Sequence, residues 1–313
     1  MANRYIELRV NREFGDILSV YFDFLRQNLK RFTNVFLGYN GIFLIGLLIC
    51  SYLFVSGFIG MIRQGSDTYG MGPDNLSDFS SIGIFFVAIA LYMVIMLVVV
   101  GFNYALSSSY LNLYEGTKGA AFDKKEVWQH CKENLGKILV FILLLVPIFM
   151  GMFIVALIFA IIPILGLFAQ YIIQFFFTAW IGVSFFAMIS QNLGVVESYG
   201  EGWKLVMGNF WKSVGVNFIL GLLNGLLMFV VMLIPGIIIG VYTFHVVENN
   251  VDVESSVLAT TIYTLGLCAF LIFMVYAQCL SQFVNGILYF SLHEKTYNFN
   301  TRNKIEQIGQ ADQ

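Results

Sequence analysis

Six long apolar stretches, separated by short polar segments, follow one another along the chain. Each is long enough to cross about 30 Å of hydrocarbon as a helix that rises about 1.5 Å per residue. Charged residues are absent from most of their length, which suits helices that satisfy their backbone hydrogen bonds internally in lipid. The pattern predicts an all-α integral membrane protein with six transmembrane helices, near residues 36–62, 81–106, 138–162, 166–190, 214–243 and 258–290.

The third and fourth spans come from one long apolar run that contains the sequence Ile-Ile-Pro163-Ile-Leu-Gly166. Proline and glycine together indicate a turn, and about 25 residues follow it, which is enough for another crossing. We therefore predict a tight helical hairpin around Pro163. Pro147, Pro163 and Pro235 could mark broken helices of the kind that build transporter sites, but Pro235 lies near the end of the fifth span, where a proline more often ends a helix.

Three amphipathic segments precede spans and share one form, an aromatic residue followed after five residues by Asn and an apolar residue. In the first, apolar residues recur at steps of three and four, and charged residues occupy the opposite face. Such helices are typical of the membrane interface. The three segments are Phe22 to Asn28-Leu29, Trp128 to Asn134-Leu135 and Trp203 to Asn209-Phe210.

The order of one interfacial helix and then two spans occurs three times, which predicts an internal repeat within one membrane domain. An Ile-Pro sequence near the end of a span occurs in the second and third copies, at Pro163 and Pro235, but not in the first. The approximate repeat units are 13–114, 122–194 and 197–294, with a polar tail at 295–313, and the single domain is 1–313.

The basic residues lie almost entirely in alternate polar segments. Of the 17 Lys and Arg residues, all but Arg63 lie in the two terminal segments and in the second and fourth loops. The first and fifth loops are acidic. Because short loops rich in Lys and Arg stay in the cytoplasm, we predict that both termini and the three amphipathic helices lie on the cytoplasmic side.

The composition and the absence of common motifs argue against several classes of function. The chain is 12% charged, against about 25% in soluble domains, and its net charge of −2 gives no field that would attract nucleic acid. The four cysteines form no CxxC pair, the three histidines lie far apart in sequence, and neither GxSxG nor HExxH occurs. These features predict a protein that is not an enzyme and uses no metal or other cofactor.

Neutral amide side chains are the main polar groups within the spans. Gln170 with Gln174 and Gln278 with Gln282 form pairs at i, i+4, which places two amides on one helix face. They could line a solute path or hold helices together, and packing is favoured because ion and proton paths usually contain charged residues. The candidate intramembrane contacts are Asn103, Gln170, Gln174, Asn217, Asn224, Gln278, Gln282 and Asn285.

The amphipathic segments supply candidate interfacial anchors. Tryptophan rings favour the headgroup level, and each basic residue near an anionic surface contributes about 1 kcal/mol. The same surfaces could instead dock a partner. The candidate anchors are Phe22, Arg26, Lys30, Arg31, Trp128, Trp203 and Trp211.

Several short motifs carry a resemblance to a known family. They are Arg12-Glu13-Phe14-Gly15-Asp16-Ile17, Phe24-Leu25-Arg26-Gln27-Asn28-Leu29-Lys30, Ile234-Pro235-Gly236-Ile237, Leu288-Tyr289-Phe290-Ser291-Leu292-His293-Glu294-Lys295 and Ile305-Glu306-Gln307-Ile308-Gly309. Over nearly its whole length the chain resembles uncharacterised six-span inner-membrane proteins of Bacteroidota. These are similar to the membrane domain that accompanies some bacterial glycerophosphoryl diester phosphodiesterases. The resemblance implies a bacterial inner-membrane location and a connection with lipids or with membrane-complex assembly, but not phosphodiesterase activity, since nothing in the chain could supply the soluble catalytic barrel.

Two functions are compatible with this sequence. The first is a non-catalytic scaffold or accessory subunit of a membrane complex, with the lipid bilayer and membrane proteins as partners. The alternative is a carrier or flippase-like handler of lipids or small apolar solutes. The alternative predicts that Gln170, Gln174, Gln278 and Gln282 converge on a cavity, whereas packing predicts amides bonded from helix to helix.

Overall fold

The computed structural model describes residues 5–67, 75–162, 165–249, 256–300 and 302. Within these residues the chain forms eight α-helices and no β-strand. The predicted all-α fold is therefore confirmed. The helices are α1 (Phe14–Asp67), α2 (Asn75–Gly116), α3 (Lys124–Glu133), α4 (Leu135–Ala160), α5 (Leu165–Gln191), α6 (Val195–Met207), α7 (Phe210–Glu248) and α8 (Val257–Tyr297).

Six of these helices, α1, α2, α4, α5, α7 and α8, are long and apolar enough to cross a membrane. Each overlaps one of the predicted spans, and four of them extend well beyond it; α1, for example, has 54 residues. The chain is thus a multi-pass membrane protein with the predicted number of spans. The prolonged helix ends carry the polar residues that are discussed below.

The predicted hairpin is present between α4 and α5. Helix α4 ends at Ala160 and α5 begins at Leu165, whereas Pro163 itself lies outside the described residues. A Cβ atom on Gly166 would come within 2.0 Å of the carbonyl oxygen of Phe159. A side chain cannot be accommodated at that distance, so this close approach requires glycine.

The first amphipathic segment differs from the other two. Helices α3 and α6 are separate from the spans that follow them, but the first segment is the beginning of the continuous helix α1. Asn28, Asn134 and Asn209 nevertheless share one local geometry, because each donates its side-chain amide to the carbonyl four residues earlier, at 3.0, 2.9 and 3.2 Å. Gly136 and Gly208 lie beside the second and third asparagines, and glycine disfavours helix by about 1 kcal/mol. The first copy has no such glycine beside its asparagine.

The prediction that Pro235 ends a helix was wrong. Pro235 lies inside α7, and Pro147 lies inside α4. Within lipid, neighbouring helices and local adjustment can satisfy the backbone groups that a proline leaves free, so membrane helices tolerate it. The three-copy repeat remains a prediction.

The chain divides into two compact units. Unit 1 contains Met1–Phe36, Gly101–Leu223 and Gln278–Gln313, and unit 2 contains Leu37–Val100 and Asn224–Ala277. The divisions fall within α1, α2, α7 and α8. All the polar clusters described below belong to unit 1.

An aromatic cluster forms part of the core of unit 1. Phe24 and Phe32 from α1 pack against Tyr110 of α2 and Phe283 of α8, with ring centroids 4.6 to 6.3 Å apart. Mostly edge-to-face contacts of this kind add about 0.5 to 1.5 kcal/mol per pair beyond the area that they bury. This face of the first amphipathic segment therefore packs against protein.

Unit 2 also has an aromatic contact between two of its helices. Phe54 of α1 lies 5.2 Å from Phe85 of α2 between ring centroids. A Cβ on Gly57 would come 3.0 Å from the backbone of Phe85, so the two helices approach closely at a small residue. Many large apolar side chains elsewhere on the unit, such as Phe229 and Val230 of α7, are exposed, as expected for a surface in contact with lipid.

The four cysteines, Cys50, Cys131, Cys268 and Cys279, are free and buried. Burial raises the pKa of the Cys131 thiol to about 12, and the thiolate is the reactive form. We expect the folded protein in detergent to resist labelling by a maleimide dye until it unfolds. The matched control is Lys132→Cys, an exposed neighbour on α3, which should be labelled at once. Labelling of the unchanged protein as fast as this variant would contradict the prediction.

Candidate functional site

The most buried glutamine of the spans ties three helices together. Gln282 of α8 is 1% exposed. Its Nε2 donates to Oγ of Ser108 in α2 at 2.9 Å and to the carbonyl oxygen of Gly182 in α5 at 3.1 Å. Both bonds run from helix to helix, as packing predicts.

Two further contacts between polar side chains lie in the same unit. Nδ2 of Asn217 in α7 donates to Oδ1 of Asn285 in α8 at 3.2 Å. Asn103 of α2 accepts a bond at Oδ1 from Sγ of Cys279 in α8, at 3.3 Å. All four side chains are buried. These amides, too, are used in contacts between helices.

In each of the two predicted pairs, the two glutamine side chains lie in different environments. Gln170 donates Nε2 to the carbonyl oxygen of Ala156 in α4 at 3.2 Å, whereas the side chain of Gln174 is exposed. Gln278 is half-buried, one turn from the buried Gln282. Asn224, in unit 2, is half-buried.

The predicted anchors occupy different environments. Phe22, Arg26 and Lys30 are exposed on α1, and Trp203 and Trp211 are 44% and 74% exposed. Trp128 is half-buried, with its ring 6.0 Å from that of Phe102. Arg31 bonds internally, because it donates to the carbonyl of Phe122 and lies 4.0 Å over the ring of the same residue.

An open cleft of about 750 Å³ lies in unit 1, lined by the end of α5, one face of α6 and the end of α8. We call it cleft A. Its volume falls in the range of about 300 to 1,000 Å³ that is usual for small-molecule sites. Cleft A is lined by Gln191, Leu193, Glu197, Gly200, Glu201, Lys204, His293, Tyr297, Phe299 and Arg302.

Helix α6 presents three different faces. At about 100° per residue, its buried residues form one sector, its exposed apolar residues a second and its charged residues a third. The buried face packs on α5, where Nε1 of Trp180 donates to the carbonyl of Tyr199 at 2.9 Å. The three sectors are Ser198, Tyr199, Gly202, Leu205 and Val206, then Val196, Trp203 and Met207, and then Glu197, Glu201 and Lys204.

Tyr297 links α8 to the charged face of α6. Lys204 donates Nζ to the hydroxyl of Tyr297 at 2.7 Å, and this hydroxyl donates to Oε2 of Glu201 at 3.1 Å. The bond to Tyr297 raises the pKa of Lys204. Oε1 of Glu201 is buried and has no hydrogen-bond partner in the described part of the chain. Because Oε1 is buried, a ligand in cleft A would reach this carboxylate through Oε2.

A smaller cleft of about 330 Å³, cleft B, lies beside the end of α2 and is lined by Arg9, Asn112, Glu115, Gly116, Lys118, His130, Ile189 and Ser190. Its main carboxylate, Glu115, is 6% exposed. It accepts bonds from the hydroxyl of Tyr5 at 2.5 Å and from Nζ of Lys118 at 2.9 Å, and Nε of Arg9 lies 3.7 Å away. Burial, and then the bond to Glu115, raises the pKa of Tyr5. The carboxylate of Glu115 in cleft B therefore already has hydrogen-bond donors and cations from the protein itself.

The segment before α1 is held by hydrogen bonds to other parts of unit 1. The sequence patterns did not predict these contacts. Leu8 is fully buried. The backbone N–H of Arg12 donates to Oγ of Ser291 in α8 at 3.0 Å, and Nζ of Lys212 in α7 donates to the Arg12 carbonyl at 2.7 Å. Nδ2 of Asn300 donates to Oε1 of Glu7 at 2.8 Å. The segment thereby joins the beginning of α7 to the end of α8.

The burial of His130 predicts a pH-dependent contribution to stability. Its Nδ1 lies 3.0 Å from Oγ of Ser109. Burial lowers its pKa, and the nearby Glu133 opposes this. Because the folded state then binds fewer protons than the unfolded state, stability should fall as pH drops through about 6.5, the usual histidine value.

We expect His130→Gln to reduce the loss of stability between about pH 7.5 and about pH 5.5, as measured by thermal unfolding in detergent at both values. Arg9, Glu115 and Lys118 also line cleft B, and they remain in the variant. His245→Gln, at an exposed histidine, is the control for the replacement of a histidine as such. An equal loss in all three proteins would contradict the assignment to His130.

None of the four glutamines of the predicted pairs lines cleft A or cleft B. Within the described ranges, no group of three or more His, Cys, Asp and Glu side chains is placed to hold a metal ion. Cleft A was missed at the sequence level, although Glu197, Gly200, Glu201 and Lys204 have the i, i+3, i+4, i+7 spacing of one helix face. No family model, curated protein or solved structure matches this chain.

Proposed function

We propose that this multi-pass membrane protein is a non-catalytic scaffold or accessory subunit of a membrane protein complex. The observation that carries the proposal is the use of the buried amides. Gln282, Asn285, Asn217 and Asn103 bond from helix to helix in unit 1, and such bonds stabilise packing by about 0.6 kcal/mol each on average. This arrangement favours a closely packed bundle that presents fixed surfaces to partners.

Cross-linking with native expression tests this function. Lys124, Lys125 and Lys132 are exposed on α3 and provide attachment points for an amine-reactive cross-linker. We expect mild detergent to release a complex in which one membrane protein is cross-linked to these lysines in constant proportion. An unrelated six-span protein, expressed at the same level, controls for random collision. A monomer with no reproducible neighbour would refute the proposal.

We propose further that the protein lies in a bacterial inner membrane with both termini in the cytoplasm. The distribution of basic residues supports this orientation, and the family resemblance supports the membrane. Cysteines introduced at Asp74 and Asp252, which lie outside the described residues, should react with an impermeant maleimide in spheroplasts. Lys125→Cys on α3 should react only after permeabilisation. The reverse pattern would overturn the orientation, and the buried native cysteines keep the background low.

A second candidate is a carrier or flippase-like handler of lipids. It is favoured by cleft A, because the charged face of α6 adjoins the exposed apolar residues Val196, Trp203 and Met207. Reconstitution into liposomes with fluorescent lipids distinguishes the two functions. A scaffold should leave the rate of lipid exchange between leaflets at the level of protein-free liposomes. A handler should raise it, and Gly200→Trp, which fills cleft A, should abolish the increase.

A further inference from the structure

The environment of cleft A fits an amphiphilic ligand. On α6, Gly200 lies between the charged sector and the exposed apolar sector of Val196, Trp203 and Met207. Nothing lies within 4 Å of the position that a Cβ on Gly200 would take. A polar group in cleft A could therefore continue over Gly200 into an apolar chain against Trp203. Tryptophan favours the headgroup level of a bilayer, where such molecules are phospholipids.

The charges of cleft A favour a zwitterionic headgroup. Glu197 and Glu201 contribute two carboxylates, and Lys204 and Arg302 contribute two cations. An anionic lipid could bind Lys204 and Arg302 but would bring no cation to Glu197 and Glu201. A headgroup with one cation and one phosphate satisfies both signs.

The carboxylate of Glu201 selects the type of cation. Glu201 lines cleft A, and its Oε2 accepts from the hydroxyl of Tyr297, which leaves a second acceptor position on that oxygen. A primary ammonium has three N–H donors, whereas a quaternary ammonium has none. Lys204 uses one of its three N–H donors on Tyr297, so the remaining two can bind a phosphate together with the exposed guanidinium of Arg302.

We propose that cleft A binds the headgroup of a phospholipid that carries a primary ammonium and a phosphodiester, the phosphoethanolamine class. Glu201 accepts from the ammonium, Lys204 and Arg302 donate to the phosphate, and the acyl chains follow the apolar sector of α6. Binding of this kind occurs equally in a scaffold and in a lipid handler, so the inference rests on neither function.

Native mass spectrometry of the delipidated full chain in detergent tests the inference. The probes are dioleoyl phosphatidylethanolamine, phosphatidylcholine and phosphatidylglycerol in equal amounts. We expect the ethanolamine lipid to bind about tenfold more tightly than either of the others, because only its headgroup satisfies both Glu201 and the two cations. Equal binding of the three lipids, or preference for the glycerol or choline lipid, would overturn the proposal.

Variants separate cleft A from general lipid binding. Gly200→Trp should abolish the preference. Gly136→Trp is the matched control, since Gly136 is also an exposed helical glycine with nothing within 4 Å of its Cβ position, outside cleft A. Glu201→Gln should lower the affinity for the ethanolamine lipid about tenfold. A preference that persists in Gly200→Trp, or that Gly136→Trp also removes, would refute cleft A as the site.

Two further measurements test the phosphate contact and the requirement for acyl chains. Arg302→Gln alters an exposed residue and should weaken binding of the ethanolamine lipid several-fold even if Glu201→Gln fails to fold. Unchanged binding in Arg302→Gln would contradict the phosphate contact. Soluble phosphorylethanolamine has the same headgroup chemistry without acyl chains, and we expect it to compete only at far higher concentration. Competition at the concentration of the lipid would show a soluble ligand and overturn the lipid assignment.

Discussion

Replacing Gly202 with valine is expected to lower the free energy of unfolding by about 3 kcal/mol or more, the upper part of the range for overpacked cores. A Cβ at this position would lie 2.0 Å from Oγ of Ser184 and 2.8 Å from its Cα and backbone N atoms. The hydroxyl can rotate, but the backbone of α5 cannot yield locally. Helix α6 would have to move away from α5 and lose the bond from Trp180 to the carbonyl of Tyr199. Thermal unfolding, followed through labelling of the buried cysteines, measures the effect.

Gly200→Val provides the control two residues earlier in the same helix. Gly200 is exposed, and nothing lies within 4 Å of its Cβ position. Its replacement should change stability by no more than about 0.5 kcal/mol. Similar losses of stability at Gly200 and Gly202 would mean that the cost comes from replacing any glycine of helix α6 and not from the close approach to Ser184.

Gly182→Ala is the second substitution from which we expect a large effect, a loss of about 2 to 3 kcal/mol. The new Cβ would lie 2.1 Å from Nδ2, 2.5 Å from Cγ and 2.8 Å from Cβ of Asn285. Asn285 is fully buried and is bonded to Asn217, so it cannot turn aside without losing that contact. The clash involves one side chain only, which allows a direct test of its origin.

A double-mutant cycle with Asn285→Gly carries out this test. Asn285→Gly should itself destabilise the protein, because it removes a buried amide and introduces glycine into α8. Combined with Gly182→Ala, however, it removes every atom that the new Cβ would meet within 2.8 Å. We expect the double variant to be more stable than the sum of the single losses predicts, by about 1 kcal/mol or more. Additive losses would show that the cost of Gly182→Ala does not come from Asn285.

The sequence was sufficient for the spans because one physical requirement dominates them. Lipid excludes charge and unpaired backbone groups, so apolar length identified the spans, and Pro163 with Gly166 indicated where one long apolar run turns into a hairpin. The unbroken start of α1 was harder to predict. The Asn28, Asn134 and Asn209 motifs have the same spacing, and this spacing does not show that only the first segment continues unbroken into its span. Pro235 was misread because lipid-embedded helices tolerate proline more readily than soluble ones.

Less of the candidate site could be predicted from the sequence. The i, i+4 spacing of Gln170 and Gln174 places them near one helix face but does not determine what that face meets, and one is bonded to α4 while the other is exposed. The charged face of α6 could be found from its spacing. The opposite wall of cleft A, with His293 and Tyr297, lies about 90 residues further along the chain, and no local pattern connects the two.

The fixed segment before α1 has a consequence for the order of synthesis. Arg12 and its partner Ser291 are separated by 279 residues, and at about 5 to 20 residues per second a ribosome needs roughly 15 to 55 s to cover that distance. During this time the segment before α1, which includes the buried Leu8, lacks its partner in α8. This segment is therefore made long before it can reach its final position, and a pause in translation before α8 should prolong the exposure of Leu8 to proteases.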